Sequence, residues 1–144
     1  MSDTDLMQLY SRRILALASD IPHLGRLEAP NGSATQRSPQ CGSTVTVDVG
    51  VTDRRLTRLG MEVRACALGQ ASAAVFGETA IGCDLPTLER GTEELRAMLE
   101  DGGPVPQAPF DGLEVLLPAR EFKNRHASIL LAWRAGVQAM QAAA

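Results

Sequence analysis

The sequence predicts an α+β fold: a small antiparallel β-sheet with helices packed on one face. Three observations carry this. Two adjacent segments alternate apolar and polar residues with a period of two. Other segments carry apolar residues at helical spacing, and the strands are grouped apart from the helices rather than alternating with them. At 144 residues the chain has the size of one domain, so a single domain over 1–144 is expected.

From Asp5 to about Ala18, Leu6, Leu9, Tyr10, Ile14 and Leu17 recur at three- and four-residue steps and predict an amphipathic first helix. Asp20 to Gln40 holds Pro22, Pro30 and Pro39 with Gly25, Asn31 and Gly32, and reads as an irregular connection. Thr44 to Val51 places Val45, Val47, Val49 and Val51 on one face of a strand and Thr44, Thr46 and Asp48 on the other. After the turn-like Thr52-Asp53-Arg54-Arg55, Leu59, Met61, Val63 and Ala65 repeat the pattern, which predicts an antiparallel hairpin. Ala67 to Ile81 reads as a helix ending at Gly82, and Thr87 to Glu100 as an amphipathic one stopped by Asp101-Gly102-Gly103-Pro104. Val105 to Asp111 is a Pro-rich connection, Leu113 to Leu117 a short apolar turn, and Ser128 to about Ala142 a closing helix.

Composition narrows the function. Fourteen Lys and Arg against 17 Asp and Glu give a net charge of −3, no surplus for a phosphate backbone, so nucleic acid is excluded as a partner class. Hydrophobic residues at 44% and charged ones at 22% suffice for a core. Tyr10, Phe76, Phe110, Phe122 and Trp133 are the only aromatics, too few for base-stacking platforms. No apolar run approaches the roughly 18 residues of a membrane span, and no secretory signal pattern follows Met1 to Asp5. A cytoplasmic protein without a membrane partner is expected, in which Cys41, Cys66 and Cys83 are free thiols, metal ligands or sulfur carriers. Neither a G-x-S-x-G elbow nor a Walker-type glycine loop occurs.

Two cysteines fall where the backbone is special. Cys41 precedes Gly42 and the first alternating strand, while Cys66 ends the second strand and opens a helix. In a hairpin these two points are neighbours, which brings the sulfurs to one rim. Unpaired N–H groups at the helix start favour a thiolate at Cys66, the form that binds metal or attacks sulfur. Burial as an inert packing residue is the other reading of any free cysteine.

Leu9-Tyr10 with Ile14, then Gly25, then Pro39-Gln40-Cys41-Gly42, then Cys66-Ala67-Leu68-Gly69-Gln70-Ala71-Ser72 resemble the U-type iron–sulfur cluster assembly scaffolds, the NifU amino-terminal and IscU-like family. The stretch between Cys66 and the closing helix is similar to the SufU branch, and the resemblance runs over about 9–137. It implies a SufE/NifU-like α+β domain that receives sulfur from a cysteine desulfurase, builds or relays an iron–sulfur cluster or binds iron, and serves a downstream carrier or apoprotein. Zinc in the same pocket is a further implication. Such a protein is a scaffold or sulfur acceptor rather than a turnover enzyme, and the resemblance makes Cys41 and Cys66 the cargo ligands; Cys41, in a flexible, Gly-flanked approach that a partner's loop can reach, is the favoured persulfide acceptor.

The family's site uses three cysteines and an acidic residue after Cys-Gly. Here Ser43 stands in the acidic position and Leu17 where the first helix of the family has His. Alignment through Leu131-Ala132-Trp133 puts Ser128 at the third cysteine, whereas alignment on Pro118-Ala119-Arg120 puts Lys123 there. Two thiolates are too few for a closed tetrahedral zinc site. Three completions stay open: His126 donates a nitrogen to the metal; two chains pool Cys41 and Cys66 as a homodimer; or the chain is a non-catalytic paralogue, an interaction module for the desulfurase or a carrier.

Among Lys123, Asn124 and Arg125, His126 otherwise reads as a solvated residue before a helix. His23 has the weaker case for ligation, Cys83 reads as an inert or exposed thiol, and Ser128 as a helix N-cap. The basic stretch Arg120 to Arg125 is a solvated face or a dock for an acidic partner surface.

Overall fold

The computed structural model describes residues 10–39 and 42–143. In chain order they form α1 (Arg12–Ala18), β1 (Gly32–Arg37), β2 (Thr44–Thr52), β3 (Arg55–Arg64), α2 (Ala67–Thr79), α3 (Leu85–Glu100), two 3₁₀ segments (Asp111–Glu121 and Lys123–Arg125) and α4 (His126–Ala143). The strands make one antiparallel sheet in the order β1-β2-β3, with the helices on it. The α+β expectation therefore holds.

The alternation in β2 does what its period requires: Val45, Val47 and Val49 are fully buried on the inner face, joined by Leu59 and Met61 of β3. Asp53 and Arg54 take φ of 52° and 65°, the paired left-handed conformation of a tight two-residue hairpin turn. Strand β3 begins at Arg55, four residues before the expected Leu59. A bulge at Gly50/Val51 separates the pair Val51–Leu56 from Val49–Leu59, so Leu56 and Leu59, three apart, both reach the core. That extra residue hides the start of the strand from a period-two reading.

The connection 20–40 is not irregular throughout, because it contains β1, paired with β2 from Gly32↔Val49 to Arg37↔Thr44. Its inner-face residues Gly32 and Ala34 are small because α4 lies directly behind them: a Cβ at Gly32 would strike the Ala139 carbonyl. The residues before β1 run along the free edge of β3 and then over the outer face of the sheet. Gly25 N–H donates to Met61 O at 2.7 Å, and Asp48, fully buried, accepts from Arg26 Nε at 2.7 Å and Leu27 N–H at 3.0 Å.

Helix α4 is the centre of the domain. It packs on β1 and β2 on one side and on α2 and α3 on the other. Ile129 to Trp133 are all buried, as a helix that is apolar all round must be. By contrast α3 is two-faced: Leu88, Leu95, Met98 and Leu99 are buried, and Arg96 pairs with Glu93, Glu100 and Asp101 outside. Asp84 caps it by accepting from Thr87 N–H at 3.0 Å. Of the expected first helix, α1 is the described part; Ser11 caps it and Ile14 enters the core. Residues 5–9 lie outside the described residues. No described helix is long and apolar enough to cross a membrane.

Candidate functional site

Strand β3 ends at Arg64, and Cys66 is the N-cap of α2, with φ −67° and ψ 171°. Its carbonyl accepts the helix bond from Gln70 N–H at 2.9 Å, but its side chain makes no capping bond. The half-buried sulfur instead meets Ser128, with Sγ and Oγ 3.6 Å apart. Ser128 Oγ donates to Ser43 Oγ at 3.3 Å, and both serines are buried. Ser43 sits just before β2. Its carbonyl accepts from Ser38 N–H, and Gly42, at φ +70°, donates its N–H to Ser38 O, which closes the turn between β1 and β2. Three residues remote in sequence, 43, 66 and 128, thus meet at one end of the sheet. Cys41 lies outside the described residues.

The meeting of α2 with α4 is fastened by small residues that the sequence analysis did not single out for this role. A Cβ at Gly69 would come within 2.6 Å of Ser128 Oγ and 3.1 Å of its carbonyl, so the glycine lets the helices close. One turn on, Ser72 Oγ donates to Ile129 O at 2.6 Å and accepts from Trp133 Nε1 at 3.0 Å. Small residues three apart on one helix face are the signal that could have found this clamp.

Ser128 is not an N-cap. Helix α4 starts two residues earlier, at His126, and Ser128 lies inside its first turn with its hydroxyl turned to Cys66 and Ser43. Nor is His126 solvated: it is buried and bonds Ala119 O and Arg120 O at 3.0 and 3.1 Å. Carbonyls only accept, so its Nε2 carries the proton and donates. Two helix positions are roughly 200° apart, and His126 lines a separate cavity with Leu99, Glu100, Lys123, Ala127 and Arg134. That cavity also holds Lys123, so of the two aligned positions Ser128 is the one beside Cys66.

Arg120 is not part of a free basic face, since it donates to Met98 O at 2.8 Å and Gly103 O at 2.9 Å. Cys83 is buried and donates to Thr79 O at 3.4 Å. Burial, then the charge of Asp84, pushes its thiol above the ordinary range, the character of an inert cysteine. His23, at φ 62°, is exposed and accepts from Met61 N–H through its carbonyl. Leu17 packs against the core.

As a donor set, the described cluster offers one thiol and two hydroxyls. Zinc prefers thiolate or imidazole in a closed shell of four, and a neutral hydroxyl is a poor ligand for it. No group of three or more His, Cys, Asp or Glu able to hold a metal ion occurs among the described residues. Resident zinc does not fit these side chains. What the cluster does provide is a half-buried thiol with a hydroxyl beside it that can donate to its anionic form.

Comparison with solved structures places the fold. A nitrogen-fixing NifU-like protein (N-terminal) from Brucella abortus matches with a TM-score of 0.93 and 36% identity, over 96% of this chain and 96% of that one. A putative iron–sulfur cluster assembly scaffold protein for the SUF system, from the thermophile Fervidobacterium islandicum AW-1, matches with a TM-score of 0.82 over 93% of this chain and 98% of that one. At 20% identity it shares the fold. A hypothetical protein matches with a TM-score of 0.74 and 20% identity over 94% and 98% of the two chains. No protein-family model and no curated protein matches the chain. The three-stranded sheet and the helices packed on it match the folds of these neighbours. The chain belongs to the NifU-like family, amino-terminal part.

Proposed function

We propose that the chain is a scaffold-like protein of iron–sulfur cluster assembly that accepts sulfur from a cysteine desulfurase and holds iron or a nascent cluster through the thiolates of Cys41 and Cys66. The single observation that supports this best is the place of Cys66: a half-buried thiol at a helix start, with the Ser128 hydroxyl 3.6 Å from its sulfur. A downstream carrier or apoprotein takes the cargo, in the reducing cytoplasm where such thiols stay free. The chain is not a turnover enzyme in this reading.

Sulfur enters by thiol exchange. A Cys41 thiolate attacks the outer sulfur of the desulfurase persulfide; the new S–S bond forms as the old one breaks, and the desulfurase cysteine leaves as thiolate. The adjoining turn, with Gly42 exposed, suits the approach of a partner's loop. Cys66 then shares the bound iron or cluster as a second thiolate, and a second copy of the chain brings the count to the four typical of a cluster.

One observation favours a second reading. Ser43 and Ser128, at positions where the family resemblance implies ligands, are hydrogen-bonded to each other, as suits a module that binds the desulfurase or a carrier without building a cluster. Anaerobic reconstitution with desulfurase, cysteine, ferrous iron and a dithiol to reduce persulfide sulfur to sulfide separates the two. The scaffold predicts stoichiometric iron and acid-labile sulfide, reduced to background in Cys41→Ala and in Cys66→Ala. Wild-type protein that takes up neither yet still binds the desulfurase sinks the scaffold and leaves the module.

A further inference from the structure

We propose that Ser43 and Ser128 determine what the pocket retains: their hydroxyls bar a resident zinc ion and leave the Cys66 sulfur open to transient cargo. The inference rests on the reading of Cys66 as a cargo-binding thiolate. Its physical basis is a mismatch between spacing and chemistry. In a tetrahedral zinc site with a sulfur at about 2.3 Å and an oxygen at about 2.0 Å, those two ligand atoms lie about 3.5 Å apart. Here Cys66 Sγ and Ser128 Oγ are 3.6 Å apart, and Ser128 Oγ and Ser43 Oγ 3.3 Å. Each of these two pairs therefore has the separation of neighbouring ligands on one ion, but two of the three atoms are neutral hydroxyls.

The serines are also held in this arrangement. Ser128 is pressed by Gly69 and carried on the α4 turn that Ser72 ties to α2. Ser43 is fixed by its carbonyl's bond from Ser38 N–H at 2.9 Å. Besides the Cys66 sulfur, the cluster offers a cation only the lone pairs of two neutral hydroxyls. A sulfur anion at Cys66 can instead receive the single Ser128 O–H, which exchanges its neutral bond to Ser43 for a charge-assisted one, the stronger kind. Specificity between the two cargoes thus turns on two side chains whose backbone positions already suit either.

The test titrates zinc into the full-length wild type, Ser128→Cys and the double variant Ser43→Asp/Ser128→Cys, in competition with a chromogenic chelator. Cobalt absorption then reports thiolate ligation. Wild type is expected to yield its zinc to the chelator. The double variant should keep about one ion per chain with affinity raised about 100-fold or more, and Ser128→Cys should fall between. Zinc held by wild type as tightly as by the double variant overturns the proposal, and so does a folded double variant that binds no better. Should thermal melting show the double variant unfolded, Ser128→Cys decides alone: tighter zinc than wild type supports the proposal, equal affinity ends it. Neither desulfurase nor iron enters this assay. A chain that shows the zinc contrast but assembles no cluster would therefore refute the scaffold reading, and with it the cargo half of the proposal, while the exclusion of zinc by the serines stands.

Discussion

Trp133→Ala is expected to cost about 3–5 kcal/mol of stability, the range for removing a large aromatic from a packed core. Three of the chain's five aromatics converge at this point. Trp133, fully buried, meets Phe76 edge-on at 5.1 Å and Phe110 edge-on at 5.0 Å. Each ring is also seated against a glycine, Phe76 where a Cβ on Gly136 would be and Phe110 where one on Gly91 would be. The cavity left by alanine cannot readily collapse. The indole N–H also holds Ser72, which in turn holds the Ile129 carbonyl, so the same substitution loosens the α2–α4 contact that sets Ser128 beside Cys66. Urea denaturation checks the cost. Trp133→Phe, which keeps most of the apolar contact but drops the donor, should lose well under half as much. A loss below about 1 kcal/mol for the alanine variant would mean that the aromatic cluster is not the keystone of the core.

What could be read from the sequence, and what could not, divides along the range of the forces involved. Strand β2 was legible because Val45, Val47 and Val49 bury one face of a pleat, and α2 because its start at Cys66 is a local change of period. Strand β1 was not, because Gly32 and Ala34 are chosen by the nearness of α4, more than ninety residues away, and carry no apolar signal. The burial of His126 escaped for a similar reason: its neighbours Lys123, Asn124 and Arg125 are polar, but the carbonyls that receive it belong to the preceding 3₁₀ segment. At the site, the helix start at Cys66 followed from pattern. The approach of Ser43 and Ser128 is a tertiary event across 85 residues, and only the family resemblance pointed to those two positions. The same resemblance left Lys123 as an equal choice, and packing rather than spacing separates the two.

Removal of the Asp48 carboxylate should be nearly as costly, and its effect should depend on pH. Asp48 is fully buried, yet it accepts from Arg26 Nε at 2.7 Å, Arg26 Nη2 at 3.1 Å, the Leu27 amide at 3.0 Å and the Ser33 hydroxyl. Burial alone pushes the carboxyl up, but the Arg26 hydrogen bonds, then Ser33, Leu27 and the Arg26 charge outweigh it, and the net direction is down. A carboxyl lowered in the folded state binds its proton less readily than the unfolded chain does. Its contribution is therefore complete above the unfolded value of about 4 and is lost as pH falls through that value toward the folded one. Asp48→Ala is expected to cost about 2–3 kcal/mol at pH 7, the order of two charged hydrogen bonds less what solvent returns to the half-exposed Arg26. The fold predicts where the damage spreads: the 22–28 segment, pinned to the outer sheet face by this carboxylate and to the edge of β3 by the Gly25–Met61 bond, should gain amide exchange before β2 does. Denaturation between pH 7 and pH 3 should show wild type losing stability faster than the variant, so that the gap between them narrows on acidification. A gap of constant width would show that Asp48 acts through its shape rather than its charge.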